Sequence, residues 1–209
     1  MKTWTIAALL LGMAPAVQAH EIWVERDGAG PARIYLGEPA EVLPAGGDPE
    51  FEKLMAPKLV PGSAAAQVRK AGYIEIAVPA GDVRVIDDSV FAPWGEEGKK
   101  EGVIYYARAG RSEAKSLMPL EIAPVTANGT RFALLRDGTP VAGAKLTVIT
   151  PDKWSKSMIA GADGTIDVPM REKGRYLLTA THEELGNLKL AGGPVAKLYH
   201  MATTSFVLP

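Results

Sequence analysis

The stretch GRYLLTATHEELGNLKLAGGPVAKLYHMATTSFVL, residues 174–208, decides the fold. Its two ends, GRYLLTATH (174–182) and LYHMATTSFVL (198–208), are rich in β-branched and aromatic residues and read as consecutive strands joined by a loop of about 14 residues. Paired antiparallel, the register that sets Tyr176 opposite Phe206 also sets Leu178 opposite Thr204 and His182 opposite His200. Side chains two apart share a face. One face then carries Tyr176, Leu178, Ala180 and His182 beside Phe206, Thr204, Ala202 and His200, and a slip of one residue would put the two imidazoles on opposite faces.

The same rhythm extends upstream. TRFALLRDGTPVAGAKLTVITP reads as strand, Asp-Gly turn, strand, and GADGTIDVPM as a tight turn and a strand. Asp137-Gly138 and Asp163-Gly164 suit the positive-φ positions of such turns. Short strands at this spacing predict an immunoglobulin-like β-sandwich over 119–209. Before it, IWVE, ARIYL, YIEIAV, VRVID and GVIYYARA are separated by Gly, Pro and Asp clusters and predict a β-rich domain over 20–118. The expected fold class is all-β. A short helix or turn is expected within Asp48–Met55, and a solvated hairpin tip or irregular insert at PWGEEGKKEG (93–102).

The first 19 residues read as a secretory signal peptide. Lys2 gives a positive start, Trp4 to Met13 is apolar, and Val17-Gln18-Ala19 places small residues at a cleavage site. The apolar run is too short for a bilayer, which needs about 20 residues. The mature chain is therefore expected in the periplasm, starting at His20, with no transmembrane segment. Loss of Lys2 takes the formal charge from −1 to −2. That balance leaves no basic footprint for nucleic acid. The chain has no cysteine, hence no disulfide and no thiolate chemistry.

Cleavage before His20 would make a chelate. The α-amine and ring Nδ1 of an N-terminal histidine close a six-membered ring on one ion, and the amine loses its proton at modest cost near neutral pH. Imidazole suits Ni, Co, Cu and Zn. The only other histidines, His182 and His200, are the candidate further ligands, with Glu21 as an oxygen donor and Met158 or Met201 as thioethers. Trp23, Trp94, Trp154, Tyr105 and Tyr106 read mainly as core or strand-face residues. The carboxylate pairs Asp87-Asp88 and Glu96-Glu97 are strand neighbours, which point to opposite faces and make no dyad. Asn128-Gly129-Thr130 reads as a turn that also matches a glycosylation sequon. No nucleophile elbow, zinc-protease motif or phosphate loop is present, so no enzyme is expected.

The signal peptide followed by AHEIWVE, then SLMPLEIAPV, LLRDGTPVAGAKLTVI and GADGTIDVPMREKGRYLLTATH, resembles a bacterial periplasmic family. Its members are described as a domain of unknown function or as the periplasmic component of cobalt and nickel uptake systems. The resemblance covers most of residues 19–190. His20 and Trp23 match the family's opening, with Ile22 in place of its usual aromatic, and His182 matches the histidine after the late strand. A further family histidine near IYLGEP has no counterpart here. The resemblance implies transition-metal handling and a partner such as a membrane transporter or outer-membrane receptor. The rival expectation is a metal-free binding or scaffold module of the cell envelope. An oxygen-activating copper enzyme is the least favoured, because nothing marks a polysaccharide-binding face.

Overall fold

The computed structural model describes residues 20–209, so the expected signal peptide lies outside the described residues. The chain is all-β. Up to residue 118 it forms β1 (Glu21–Arg26), β2 (Ala32–Gly37), β3 (Lys58–Leu59), β4 (Gln67–Lys70), β5 (Tyr73–Ile76), β6 (Val83–Asp87) and β7 (Glu101–Ala109). There follow β8 (Leu120–Pro124), β9 (Arg131–Arg136), β10 (Thr139–Pro140), β11 (Lys145–Ile149), β12 (Ser155–Ile159), β13 (Thr165–Asp167), β14 (Gly174–Leu190) and β15 (Gly193–Leu208). A 3-10 turn, Phe51–Lys53, falls inside the stretch expected to be a short helix or turn. Among the described residues no helix is long and apolar enough to cross a membrane.

A seven-stranded sheet in the order β12-β11-β14-β15-β7-β6-β3 forms the middle layer. It takes strands from both sides of residue 118. The join is a parallel ladder in which Lys197 to Ser205 of β15 pair with Glu101 to Ala109 of β7. A parallel ladder of this kind is usually covered on both faces, and both faces of β7 are indeed used. Val103, Tyr105 and Ala107 pack on one side against Ile22, Val24, Ile34, Leu36 and Ile74 of the small sheet β1-β2-β5-β4. Tyr106, with Ala180, Ala202 and Phe206, packs on the other side against Leu120, Ile122, Phe132 and Leu134 of the small sheet built around β9.

Three buried hydroxyls of β15 tie these layers together. Thr203 Oγ1 donates to the Ile22 carbonyl at 2.7 Å, Ser205 donates to that of Val24, and Thr204 Oγ1 donates to that of Ile122 on the opposite side at 2.6 Å. Burying such groups is tolerable because each is paired.

The β14–β15 register is the expected one, with Tyr176 opposite Phe206, Leu178 opposite Thr204 and His182 opposite His200. The expected loop between these strands is not a loop. Both strands run on, past an irregularity between Leu185 and Leu188, to a tight turn at Ala191-Gly192. The overhang is held by a satellite cluster of Leu190, Val195 and Leu198. Asp137, Gly138 and Gly164 have positive φ, as the turn reading requires.

Candidate functional site

His20 precedes β1 and stands at a cleft of about 560 Å³. Its walls include Phe91, Trp94, Tyr105, Tyr199, Val103 and Met201, with Glu50, Glu101, Thr181 and Glu183 as polar lining. The His20 ring lies edge-on to Phe91, centroids 6.3 Å apart. Its Nε2 is 3.2 Å from Asp48 Oδ1, and its Nδ1 is 3.8 Å from Glu50 Oε2. The first is a close ring–carboxylate contact. The second is beyond hydrogen-bond reach, which ends near 3.2 Å for this type of pair. Asp48 Oδ1 also accepts the Glu50 amide at 2.7 Å, so one carboxylate orients both the ring and the loop that carries Glu50.

The structure does not bring the three histidines together. Tyr199 and Met201 line the His20 cleft, and His200 between them points to the other face of the central sheet, among the residues around Tyr106. This corrects the expectation that His182 and His200 complete a site with His20, and the cause is the two-residue period of β15. His182 and His200 are neighbours as expected, ring centroids 6.3 Å apart. His200, however, is fully employed. Its Nε2 lies 2.9 Å from Glu184 Oε2 and its Nδ1 lies 3.0 Å from the Tyr106 hydroxyl. Burial pushes the Tyr106 phenol up to about 12, so it stays a donor. The hydrogen bond from His200 holds Glu184 below the usual carboxylate range, so that group accepts. The neutral tautomer with its proton on Nε2 satisfies both contacts and leaves no lone pair for an ion. Burial accordingly lowers the His200 pKa.

Glu21 turns away from the His20 cleft into a second cavity of about 410 Å³, with Thr147, Ile149 and Thr179. Thr181 lines both cavities. Burial pushes the Glu21 carboxyl up to about 7, partly opposed by a hydrogen bond from Thr179, and its Oε2 has no hydrogen-bond partner. The thioether candidates separate as well: Met201 faces the His20 cleft, and Met158 packs into the opposite core. Among the described residues no group of three or more His, Asp or Glu side chains is arranged to hold a metal ion.

Asp48, Glu50, Phe91, Glu101 and Tyr199 were not singled out by the sequence. The available signal was GGDPEFEK, in which two acids two apart follow paired glycines. Trp94 is a wall of the cleft and 40 % exposed, rather than core.

No protein-family model matches the chain, and no curated protein matches it. Among solved structures the chain is similar to the Bacteroides ovatus mixed-linkage glucan utilization locus SGBP-B in complex with a mixed-linkage heptasaccharide, at 14% identity and a TM-score of 0.18. That match covers 89% of this chain and 46% of the other, so the chain spans about half the length of that protein. At such a score the likeness carries no argument about fold or ligand. Fold and site together define an all-β protein with a half-open aromatic cleft at the start of its first strand.

Proposed function

We propose that the protein is an exported transition-metal-binding protein that captures a divalent ion at His20 and hands it on, with an envelope transporter or receptor as partner. One observation carries this reading: His20 presents Nδ1, the nitrogen able to chelate with its own α-amine, toward Glu50 Oε2 at 3.8 Å, while Asp48 engages Nε2. Metal-bound histidine commonly donates its other ring N–H to a carboxylate, which fixes the tautomer. Nitrogen and carboxylate donors sit roughly 2.0–2.2 Å from an ion such as Zn²⁺. A donor pair at 3.8 Å therefore suits one shared ion and is too wide for a direct bond. Ring and Glu50 supply two ligands, and the amine freed by cleavage before His20 supplies the third. His182, His200 and Glu21 are not part of this set. Nickel, cobalt, copper and zinc all fit nitrogen and oxygen donors, and the usual affinity order favours copper in vitro.

Calorimetric titration with each of the four ions tests the reading. Protein starting at His20 is expected to bind one equivalent, and the same protein with that α-amine acetylated to bind at least ~10-fold more weakly, since it loses the chelate ring. His182→Ala and His200→Ala are expected to bind like the parent. Equal binding by the first two forms removes the amine from the site, and binding by neither favours the metal-free scaffold module.

A further inference from the structure

We propose that the same cleft binds a small organic cation, a quaternary ammonium or substituted amine, against Trp94 beside Glu101. This goes beyond the ion reading and does not depend on it. At about 560 Å³ the cleft is far larger than one ion needs and falls within the usual range of small-molecule sites, roughly 300–1,000 Å³.

Three features select a cation. First, aromatic and carboxylate groups are built into one unit. Trp94 and Glu101 exchange backbone hydrogen bonds of 3.0 and 2.8 Å as an isolated antiparallel pair. Side chains of residues directly opposite stand side by side. Tyr199 stacks on Trp94 at 6.2 Å with 8° between the planes, and its hydroxyl donates to Glu101 Oε2 at 3.0 Å.

Second, one carboxylate of the cleft is held by a neutral group and not by an ammonium. Three carboxylates line the cleft and no lysine or arginine does. Glu50 and Glu183 have ammonium partners in Lys53 and Lys197, whereas Glu101 is held by the neutral phenol. Third, the chain's own ammonium groups already occupy aromatic faces here. Lys53 Nζ lies 4.8 Å from the Phe91 centroid and Lys197 Nζ lies 4.4 Å from that of Tyr199. Trp94, of the ring type that best attracts cations, is a wall that stays 40 % exposed.

The test uses choline and its neutral isostere 3,3-dimethyl-1-butanol as probes. Both are titrated calorimetrically into the whole mature protein with a chelator present, so that the ion reading plays no part. Choline is expected to saturate one site and the isostere to bind at least ~10-fold more weakly, a difference that cation–π attraction and a nearby carboxylate supply. Glu101→Gln is expected to remove most of that preference while leaving isostere binding unchanged. Trp94→Ala, at an exposed position, is expected to abolish both. Equal binding of the two probes, or no binding of choline at millimolar concentration, overturns the proposal. So does saturation by a neutral glucose oligosaccharide that choline does not compete with.

Discussion

His200 carries two hydrogen bonds. Its neutral ring takes a proton from Tyr106 on Nδ1 and gives one to Glu184 on Nε2. Tyr106→Phe leaves Nδ1 buried and unpaired, a loss of about 1–3 kcal/mol. The pH dependence follows from burial, which lowers the folded-state pKa of His200 below its ordinary 6.5. On acidification the unfolded chain takes up the proton first, so stability falls as pH drops below that ordinary value. Arg136 and His182 add to the drop by resisting a further positive charge, and Glu184 opposes it. Glu21, raised to about 7, gains stability on acidification over the same window, so urea unfolding at pH 7.5 and 5.5 isolates His200 as the difference between the parent and His200→Gln. His200→Gln is expected to be less stable than the parent at pH 7.5 and to lose less on acidification. An equal loss in both proteins would remove His200 from the effect.

The elements show what adjacent residues encode and what they do not. The β14–β15 register was legible because one pairing sets Tyr176, Leu178 and Ala180 opposite Phe206, Thr204 and Ala202 on a shared face. The parallel pairing of β15 with β7 was not, because it joins segments nearly a hundred residues apart and no local pattern specifies it. For the same reason the face on which His20 meets the sheet was hidden, and with it the separation of the histidines. Residues 183–197 looked like loop because only Leu188, Leu190 and Val195 of that stretch are anchored, beside Leu198. The loop that presents Asp48 and Glu50 is placed by a contact between two glycines. A Cβ on Gly47, where φ is +92°, would fall 2.2 Å from Gly72 Cα at the β4–β5 turn. Gly47→Ala therefore adds backbone strain to a clash, on the order of 3 kcal/mol, and should lower Tm by roughly 6–12 °C. Displacement of the adjacent Asp48 should weaken ion binding at His20 as well. Gly46→Ala has φ of +100° but open space around its Cβ, so it carries the strain alone. Thermal scans that rank Gly46→Ala at or below Gly47→Ala would count against this contact.

At the scale of the molecule, one buried carboxylate holds the strands before and after residue 118 together. Glu121 on β8 accepts from Arg84 Nε of β6 at 2.8 Å and from Arg108 Nη1 of β7 at 2.7 Å. Its second oxygen accepts the Leu117 and Met118 amides at 2.7 and 3.1 Å. The side chains of Arg84, Arg108 and Glu121 are 2 %, 0 % and 0 % exposed, so removing the negative charge takes their shared carboxylate from two buried guanidinium groups and leaves Arg84 with Glu113 and Arg108 with Asp82. Breaking such a buried arrangement typically costs about 3–5 kcal/mol. Glu121→Gln is thus expected to lower Tm by about 6–20 °C for a chain of this length. The form of the transition matters as much as its midpoint. β15 is hydrogen-bonded to β14 on one side and to β7 on the other, so neither half can unfold without opening a ladder of the central sheet. The variant should therefore still melt in a single step, with tryptophan fluorescence from Trp23 and Trp94 and far-ultraviolet dichroism falling together. Two separated steps would mean that the halves hold together independently and that the shared sheet does not couple the His20 cleft to the His182–His200 face.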